Sequence, residues 1–208
     1  MLPTFPKLVA MALMVVVLLF SVIIHEIAHG YVALRNGDPT ARMLGRITLN
    51  PIPHIDPIGT ILLPLLLLIS GAGILFGWAR PVPVNPRNYR NYRLGELTVS
   101  AAGPLSNLAL AVLFALLAHH PFGNVGLLML ASFGVQINIF LALFNLIPIP
   151  PLDGSHILSL FLPPNLSRLY SYLEPVGFIL ILVLFYTGIL WWFIMPAYHL
   201  IGSVLMGR

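Results

Sequence analysis

The sequence of 208 residues contains no cysteine and little charge, with ten Lys and Arg and six Asp and Glu. Without cysteine the chain forms neither a disulfide nor a thiolate metal site, so a transition metal would be held by His, Asp or Glu. No basic helix face and no aromatic stacking platform is present, which argues against a nucleic-acid-binding protein. We find no internal repeat, and no segment resembles an appended soluble domain.

The composition is that of an integral membrane protein, because 59% of the residues are hydrophobic and the mean hydropathy is +0.97. Residues 1–24 also fit a signal peptide, but the apolar run is too long for one, so a retained helix is favoured. We predict one membrane-embedded domain over 1–208, with a core at 8–160 and a C-terminal helix at 170–206. Four stretches are able to span a bilayer at about 20 residues each: 8–33, 95–118, 125–147 and 174–195.

A fifth apolar stretch, 57–77, is long enough to span but is interrupted by Pro64 and by the glycines at 71 and 73. Arginines follow both the first stretch and this one. If 57–77 crossed the membrane, the two arginine groups would face opposite sides, against the positive-inside tendency. We therefore favour a re-entrant hairpin over a fifth span. The arginines concerned are Arg35, Arg42 and Arg46 in the first group, and Arg80, Arg87, Arg90 and Arg93 in the second.

The region between these stretches carries turn and strand signals. Asn36-Gly37-Asp38-Pro39 is typical of a turn, and residues 43–50 (MLGRITLN) have the partly alternating pattern of a short strand. An unpaired strand edge here would accept an extended peptide. We thus predict an all-α polytopic membrane protein with about four transmembrane helices, a re-entrant hairpin at 57–77 and a short β-strand or hairpin at about 40–50.

The motif HEIAHG, residues 25–30, ends the first apolar stretch. Ionisable groups at such depth are costly and mark functional sites. On a helix His25 and His29 project from one face with about 5–6 Å between their Cβ atoms, so both imidazoles reach one zinc ion. Glu26 lies about 100° around the turn, where it reaches water beside the metal without being a ligand. The alternative is a hydrogen-bonded His/Glu network that holds helices together.

A catalytic zinc site needs a third protein ligand. Asp153 is the best candidate, because it directly follows a membrane stretch in the run from Asn145 to Gly154. The acidic residues Asp38, Asp56, Glu96 and Glu174 fit turn or helix-start positions instead. For His29 and Asp153 to meet, an even number of crossings must separate them, which again requires 57–77 not to cross.

HEIAHG and NLIPIPPLDG together resemble the site-2 protease family of intramembrane zinc metalloproteases, peptidase family M50. SAAGPLSN (100–107), RITLNPIPHIDPIG and GWARPVPVNP match its compact prokaryotic members, which lack PDZ and CBS domains. The resemblance implies that His25, His29 and Asp153 bind one Zn²⁺ and that Glu26 activates water. It also implies hydrolysis of a peptide bond within or near a transmembrane segment of a membrane protein substrate, in a prokaryotic inner membrane with the active site toward the cytoplasm.

Several other residues have two interpretations. Asn145 matches a family asparagine near the substrate, or it caps or packs a helix; His54 contacts substrate, or it forms loop hydrogen bonds. His156 supports the metal site or starts a helix. The small residues at 101–103, with Ser106 and Asn107, are interpreted as helix packing.

Two other classes of function stay open beside the protease. One is a membrane metallohydrolase acting on a lipid or small molecule, and the other is a transporter. A transporter predicts two related halves, and the sequence contains none.

Overall fold

The computed structural model describes residues 7–69, 77–120 and 124–207, and within these residues the chain is helical, without a β-strand. Short 3₁₀ turns occupy Ile52–His54 and Pro86–Asn88, and a π-helical turn occupies Pro57–Leu62. The α-helices are α1 Lys7–Asn36, α2 Thr40–Met43, α3 Leu63–Ile69, α4 Tyr92–His119, α5 Val125–Asn145, α6 Asp153–Ser159, α7 Pro164–Ser171, α8 Glu174–Tyr186 and α9 Ile189–Met206.

Helices α1, α4 and α5 pack against one another and form the centre of the molecule. Their shared core is apolar and includes Val17, Ala111 and Ile139. Gly134 of α5 lies directly against the ring of Phe114 of α4, where a Cβ atom would collide with the ring. This small residue therefore lets the two helices approach closely, as in other membrane helix pairs. Helix α6 contacts α4, and α9 contacts α5.

Within the described ranges, four helices are long and apolar enough to cross a membrane, in agreement with an integral membrane protein. They cover Val9–Asn36, Tyr92–His119, Val125–Asn145 and Ile189–Met206. The first three match the predicted stretches 8–33, 95–118 and 125–147 to within a few residues at each end.

The fourth predicted span, 174–195, is wrong, and the predicted C-terminal helix at 170–206 is divided. Helix α8 ends at Tyr186, Gly188 adopts the left-handed conformation with φ +79°, and α9 begins at Ile189. Helices α7 and α8 are also bent by 70° relative to each other. Hydropathy alone misplaced the boundary because the apolar run continues across Gly188, where only backbone conformation marks the break.

The predicted β-strand or hairpin at about 40–50 is also wrong. Thr40–Met43 form one helical turn, and Gly45 adopts a left-handed φ of +64°. The turn is set by Asp38, whose buried carboxylate accepts hydrogen bonds from the backbone N–H and the hydroxyl of Thr40. These local bonds override the strand preference of the β-branched residues that follow.

Residues 57–77 begin with the π-helical turn and α3, and residues 70–76 lie outside the described part of the chain. The two described ends of this stretch meet. Trp78 N–H donates to the Gly59 carbonyl at 3.1 Å, and the Thr60 hydroxyl donates to the Trp78 carbonyl at 2.8 Å. The chain therefore returns at Trp78 to the place where it entered the stretch.

Candidate metal centre

Two turns of α1 and the first residue of α6 bring three potential metal ligands together. The Nε2 atoms of His25 and His29 are 3.0 Å apart, and Asp153 Oδ2 lies 3.3 Å from the first and 3.4 Å from the second. The spacing HExxH produces the imidazole pair because residues four apart share a helix face. Asp153 arrives from a distant part of the chain, after the 146–152 loop. The predicted meeting of His25, His29 and Asp153 is present in the structure.

Both imidazoles are held so that their Nε2 atoms carry lone pairs. His25 Nδ1 lies 2.6 Å from Asn107 Oδ1, and His29 Nδ1 lies 2.7 Å from the Val99 carbonyl oxygen. Both partners are acceptors, so each Nδ1 donates its proton, and each Nε2 is left as a Lewis base. The histidines are thus preset in the tautomer that a metal ion binds.

The three converging atoms fit a divalent cation. Asp153 Oδ2 is buried and accepts no hydrogen bond, although a buried carboxylate oxygen is costly to leave unpaired. Two lone pairs and one anionic oxygen that face one another repel, and a cation between them removes this repulsion. Two imidazoles with one carboxylate form the ligand set of catalytic zinc sites, which keep a fourth position open.

Gly103 of α4 lies beside the two imidazoles and leaves room for them because it has no side chain. A Cβ atom at this position would collide with His25 Nε2 and with His29 Nε2. The interpretation of residues 101–103 and Asn107 as packing alone was therefore incomplete. Gly103 leaves room at the imidazole nitrogens, and Asn107 holds His25 directly.

Glu26 lies next to the ligands, and its carboxylate is held by the chain segment that follows the 57–77 stretch. Val82 N–H donates to Glu26 Oε2 at 2.6 Å. The buried guanidinium of Arg46 in turn binds the carbonyls of Arg80 and Pro81 at 2.8 and 3.2 Å. The turn after α1 thus fixes segment 80–82, and this segment fixes one oxygen of Glu26.

A cavity of about 250 Å³ opens beside these groups. Asn145 lines it at the end of α5, while its amide donates to the Leu141 carbonyl of its own helix at 2.9 Å. The bond to Leu141 agrees with the interpretation of Asn145 as a helix-packing residue, and its contact with substrate stays a prediction. The remaining lining residues include Val82, Val84, Tyr89, Val99, Ser100 and Pro151.

A second titratable pair lines the same cavity. His156 Nδ1 lies 3.0 Å from Glu96 Oε1, which joins α6 to α4. The hydrogen bond to Glu96 raises the pKa of His156, although burial opposes this shift. Glu96 was predicted only as a helix-start residue; instead it is buried and faces the site. His156 is close to the metal centre and braces α6, which carries Asp153.

His54 lies outside this cavity lining. Its side chain is buried, and its Nε2 lies 2.9 Å from the Thr48 carbonyl oxygen. This contact agrees with the loop hydrogen bond that was one of its two interpretations. A contact of His54 with substrate stays a prediction.

Sequence reasoning missed Val82, Arg46 and Glu96. Val82 acts through its backbone N–H, which no side-chain pattern reveals. Arg46 was counted only as a positive charge that orients the protein. Glu96 carried the one usable signal, because it is an acidic residue near the start of an apolar stretch.

The fold and the site together define a class: a polytopic membrane protein with a zinc-type centre of two imidazoles and one carboxylate beside a second acid, Glu26. Residues 117–184 match the model of Peptidase family M50. The chain is 46% identical over 186 residues to "Putative zinc metalloprotease YwhC" of Bacillus subtilis, covering 85% of this chain and 81% of that protein.

Two further relatives are the proteins named "Putative zinc metalloprotease Rip2". That of Mycolicibacterium smegmatis is 34% identical, with 84% of this chain and 68% of that protein covered. That of Mycobacterium tuberculosis strain H37Rv is 32% identical, with 84% and 70% covered. No solved structure matches the chain. The chain belongs to peptidase family M50 and is a zinc metalloprotease.

Proposed function

We propose that this protein is an intramembrane metalloprotease that hydrolyses a peptide bond within or near a transmembrane segment of another membrane protein. In this proposal His25, His29 and Asp153 hold one zinc ion, and Glu26 is the general base. The observation that carries it is the convergence of two imidazole nitrogens and one carboxylate oxygen, with a second carboxylate, that of Glu26, beside them. Both imidazoles and Glu26 belong to a helix long and apolar enough to cross the bilayer.

When bound, zinc supplies a Lewis acid that activates water and polarises the scissile carbonyl. Glu26 takes a proton from the attacking water and gives it to the leaving amine. Val82 N–H holds Glu26 Oε2, so the carboxylate keeps its direction during this transfer. Asn107 and the Val99 carbonyl hold the imidazoles in their ligand tautomer.

The residues that line the cavity are compatible with a peptide as substrate. Val82, Val84 and Asn145 lie along it, and the Asn145 side chain offers a polar group to a peptide backbone. An intact helix buries its carbonyls in hydrogen bonds, so a transmembrane segment must unwind before attack. We therefore predict that Gly or Pro near the scissile bond increases the cleavage rate relative to Leu. Equal rates for a matched Gly, Pro and Leu series would refute this prediction.

The proposal includes a topology. Helices α4 and α5 are the two spans between His29 and Asp153, which is an even number. The contact between Gly59 and Trp78 supports a re-entrant path for 57–77. With both arginine groups then on one side, the positive-inside tendency places the active site toward the cytoplasm. We propose a prokaryotic inner membrane and one membrane-embedded domain over 1–208.

The test is cleavage of a panel of model transmembrane substrates by the purified, zinc-loaded protein in detergent or liposomes. We expect the parent to cleave at defined peptide bonds, and the Glu26→Gln variant and the chelated parent to lose this activity. Product masses that show ester hydrolysis of the lipids, with every peptide substrate intact, would favour the lipid metallohydrolase and contradict the proposal. Equal cleavage by Glu26→Gln would remove Glu26 from its assigned role.

A further inference from the structure

A polar chain of three side chains crosses the apolar centre of the helix bundle and ends at His25. Asn107 of α4 lies between His25 and Asn138 of α5, and Asn138 lies between Asn107 and Ser21 of α1. Asn107, Asn138 and Ser21 are each 0% exposed, so bulk solvent does not reach them. Polar groups at this depth are expensive and need a partner at every donor and acceptor.

The backbone carbonyl of Gly134 fixes the orientation of the Asn138 amide. Asn138 Nδ2 donates to the Gly134 carbonyl at 2.9 Å and to the Ser21 hydroxyl oxygen at 2.8 Å. A carbonyl only accepts, so the amide nitrogen of Asn138 must face Gly134, and its Oδ1 must face Asn107.

The same argument fixes the orientation of the Asn107 amide. Its Nδ2 donates to Asn138 Oδ1 at 2.9 Å and makes a weaker contact of 3.4 Å with the Ser21 carbonyl. Its Oδ1 is then the atom that faces His25 Nδ1 at 2.6 Å. An acceptor at this place requires the proton of His25 on Nδ1 and leaves the lone pair on Nε2.

We propose that Asn138 and Ser21 are positioning residues for the zinc ligand His25, although neither side chain contacts it. The Gly134 carbonyl and the Ser21 hydroxyl orient Asn138, Asn138 orients Asn107, and Asn107 selects the tautomer of His25 that binds metal. Loss of Asn138 leaves Asn107 Nδ2 with only the 3.4 Å contact to Ser21 O. The Asn107 amide is then free to flip and to present its NH₂ to His25, which favours the tautomer that does not bind zinc.

Apolar contacts already hold the same three helices together. Val17, Ala111 and Ile139 form a buried cluster between α1, α4 and α5. A network that served only packing would lose stability when broken, and it would have no specific effect on the histidine tautomer. This difference separates a positioning role from a structural one.

The inference rests on the proposed zinc site, but its readouts need no substrate, so a protein that cleaves nothing still tests it. Zinc affinity is measured by chelator competition for the purified full-length protein in detergent. The variants are Asn138→Leu, Ser21→Ala, Asn107→Leu and the double variant Asn107→Leu/Asn138→Leu. The matched control is Thr98→Val, which removes the acceptor of the Asn36 amide, an α1–α4 hydrogen bond that does not lead to His25.

We expect Asn138→Leu to weaken zinc binding by about tenfold, the lower end of the range for outer-shell partners of metal ligands. Ser21→Ala should have a smaller effect, because Asn138 keeps its bond to the Gly134 carbonyl. Thr98→Val should bind zinc as the parent does. The double variant should bind no more weakly than Asn107→Leu alone, since Asn138 acts only through Asn107. Additive losses, or parental affinity in Asn138→Leu, would overturn the proposal.

The second readout is the tautomer itself, taken from long-range ¹H–¹⁵N spectra of histidine-labelled, zinc-free protein, with His25 assigned from a His25→Gln spectrum. The parent should carry the His25 proton on Nδ1, and Ser21→Ala and Asn138→Leu should show growing fractions with the proton on Nε2. This readout applies to any variant that keeps the parental thermal transition. If Asn138→Leu unfolds, Ser21→Ala decides the question. A parental tautomer in a folded Ser21→Ala and a folded Asn138→Leu would contradict the proposal.

Discussion

The part of the chain up to Ser155, called the first part below, and the part after it, called the second part, differ in the side chains that they bury. Among the described residues, every buried polar or charged side chain lies in the first part. Helices α8 and α9 of the second part bury only apolar residues and glycine: Gly177, Ile181, Leu190 and Ile194. Since buried polar groups are costly in a bilayer and mark functional sites, their restriction to the first part agrees with the proposed site there.

We expect the largest loss of activity when Glu26, the acid beside the proposed zinc ligands, is replaced. Glu26→Gln keeps the side-chain shape but removes the base, so we expect peptide hydrolysis to fall by about 10²–10⁴-fold. Zinc content should stay at one ion per chain, because Glu26 is not among the three converging ligands. The control is Glu174→Gln in the second part of the chain, where we expect parental activity. Similar losses in both variants would remove the functional difference between the two parts.

Two glycines, Gly103 in the first part and Gly202 in the second, compare the space available in the two parts of the chain. Gly103→Ala places a Cβ atom against both Nε2 atoms, whereas Gly202→Ala in α9 meets no atom within 4 Å. We expect Gly103→Ala to weaken zinc binding by about tenfold or more, the scale at which mispositioned ligands lose affinity. Gly202→Ala should bind zinc as the parent does. Chelator competition measures both, and equal affinities would contradict the position assigned to Gly103.

The contact of Gly177 in the second part with Pro150 in the first part predicts a smaller loss. A Cβ atom on Gly177 of α8 would collide with the carbonyl oxygen of Pro150, in the loop that leads to Asp153. Gly177→Ala should therefore destabilise the protein by about 1–3 kcal/mol, as overpacking does. It should also lower zinc affinity less than Gly103→Ala, because the loop is able to shift. Thermal unfolding in detergent checks the first effect; a variant as stable as the parent would show that α8 does not press on this loop.

The last prediction concerns the pH dependence of the unfolding free energy and the role of Asp38 in it. Burial opposes its ionisation, but hydrogen bonds from Thr40, the Asn85 N–H and the Asn88 amide hold its pKa below the ordinary value of 3.8. A lowered folded-state pKa contributes stability that is present above the unfolded pKa and is lost as the pH falls through the folded one. Unfolding free energy should thus decrease below about pH 4.

Asp38→Asn provides the matched variant for this pH effect. The variant's free energy of unfolding should be about 2 kcal/mol lower than that of the parent at neutral pH. Its free energy of unfolding should also depend less on pH below 4 than that of the parent. Parallel pH curves for the two proteins would contradict the role of Asp38.

Sequence reasoning succeeded where a polar residue interrupts an apolar run. HEIAHG and Asp153 are such interruptions, and the structure brings them together as predicted. It failed where the pattern carried no contrast, as in the uniformly apolar stretch that Gly188 divides. It also failed at 40–50, where the Asp38 carboxylate that binds Thr40 and sets the turn is also held by the distant residues Asn85 and Asn88.

The supporting contacts were harder to predict than the ligands. The bond from Val82 to Glu26 uses the backbone, and Arg46 acts through two carbonyls. Asn107 was visible as an asparagine in an apolar helix, but only the crossing of α1 and α4 shows that it meets His25. Such contacts depend on tertiary geometry, which spacing along one helix does not contain.

The most direct measurement is the position of zinc in an experimental structure of the metal-loaded protein, located by anomalous scattering at the zinc absorption edge. We expect one peak at about 2.0–2.2 Å from His25 Nε2, His29 Nε2 and a carboxylate oxygen of Asp153. A zinc peak elsewhere in the protein, or one bound to the histidines with Asp153 beyond coordination distance, would contradict the proposed centre.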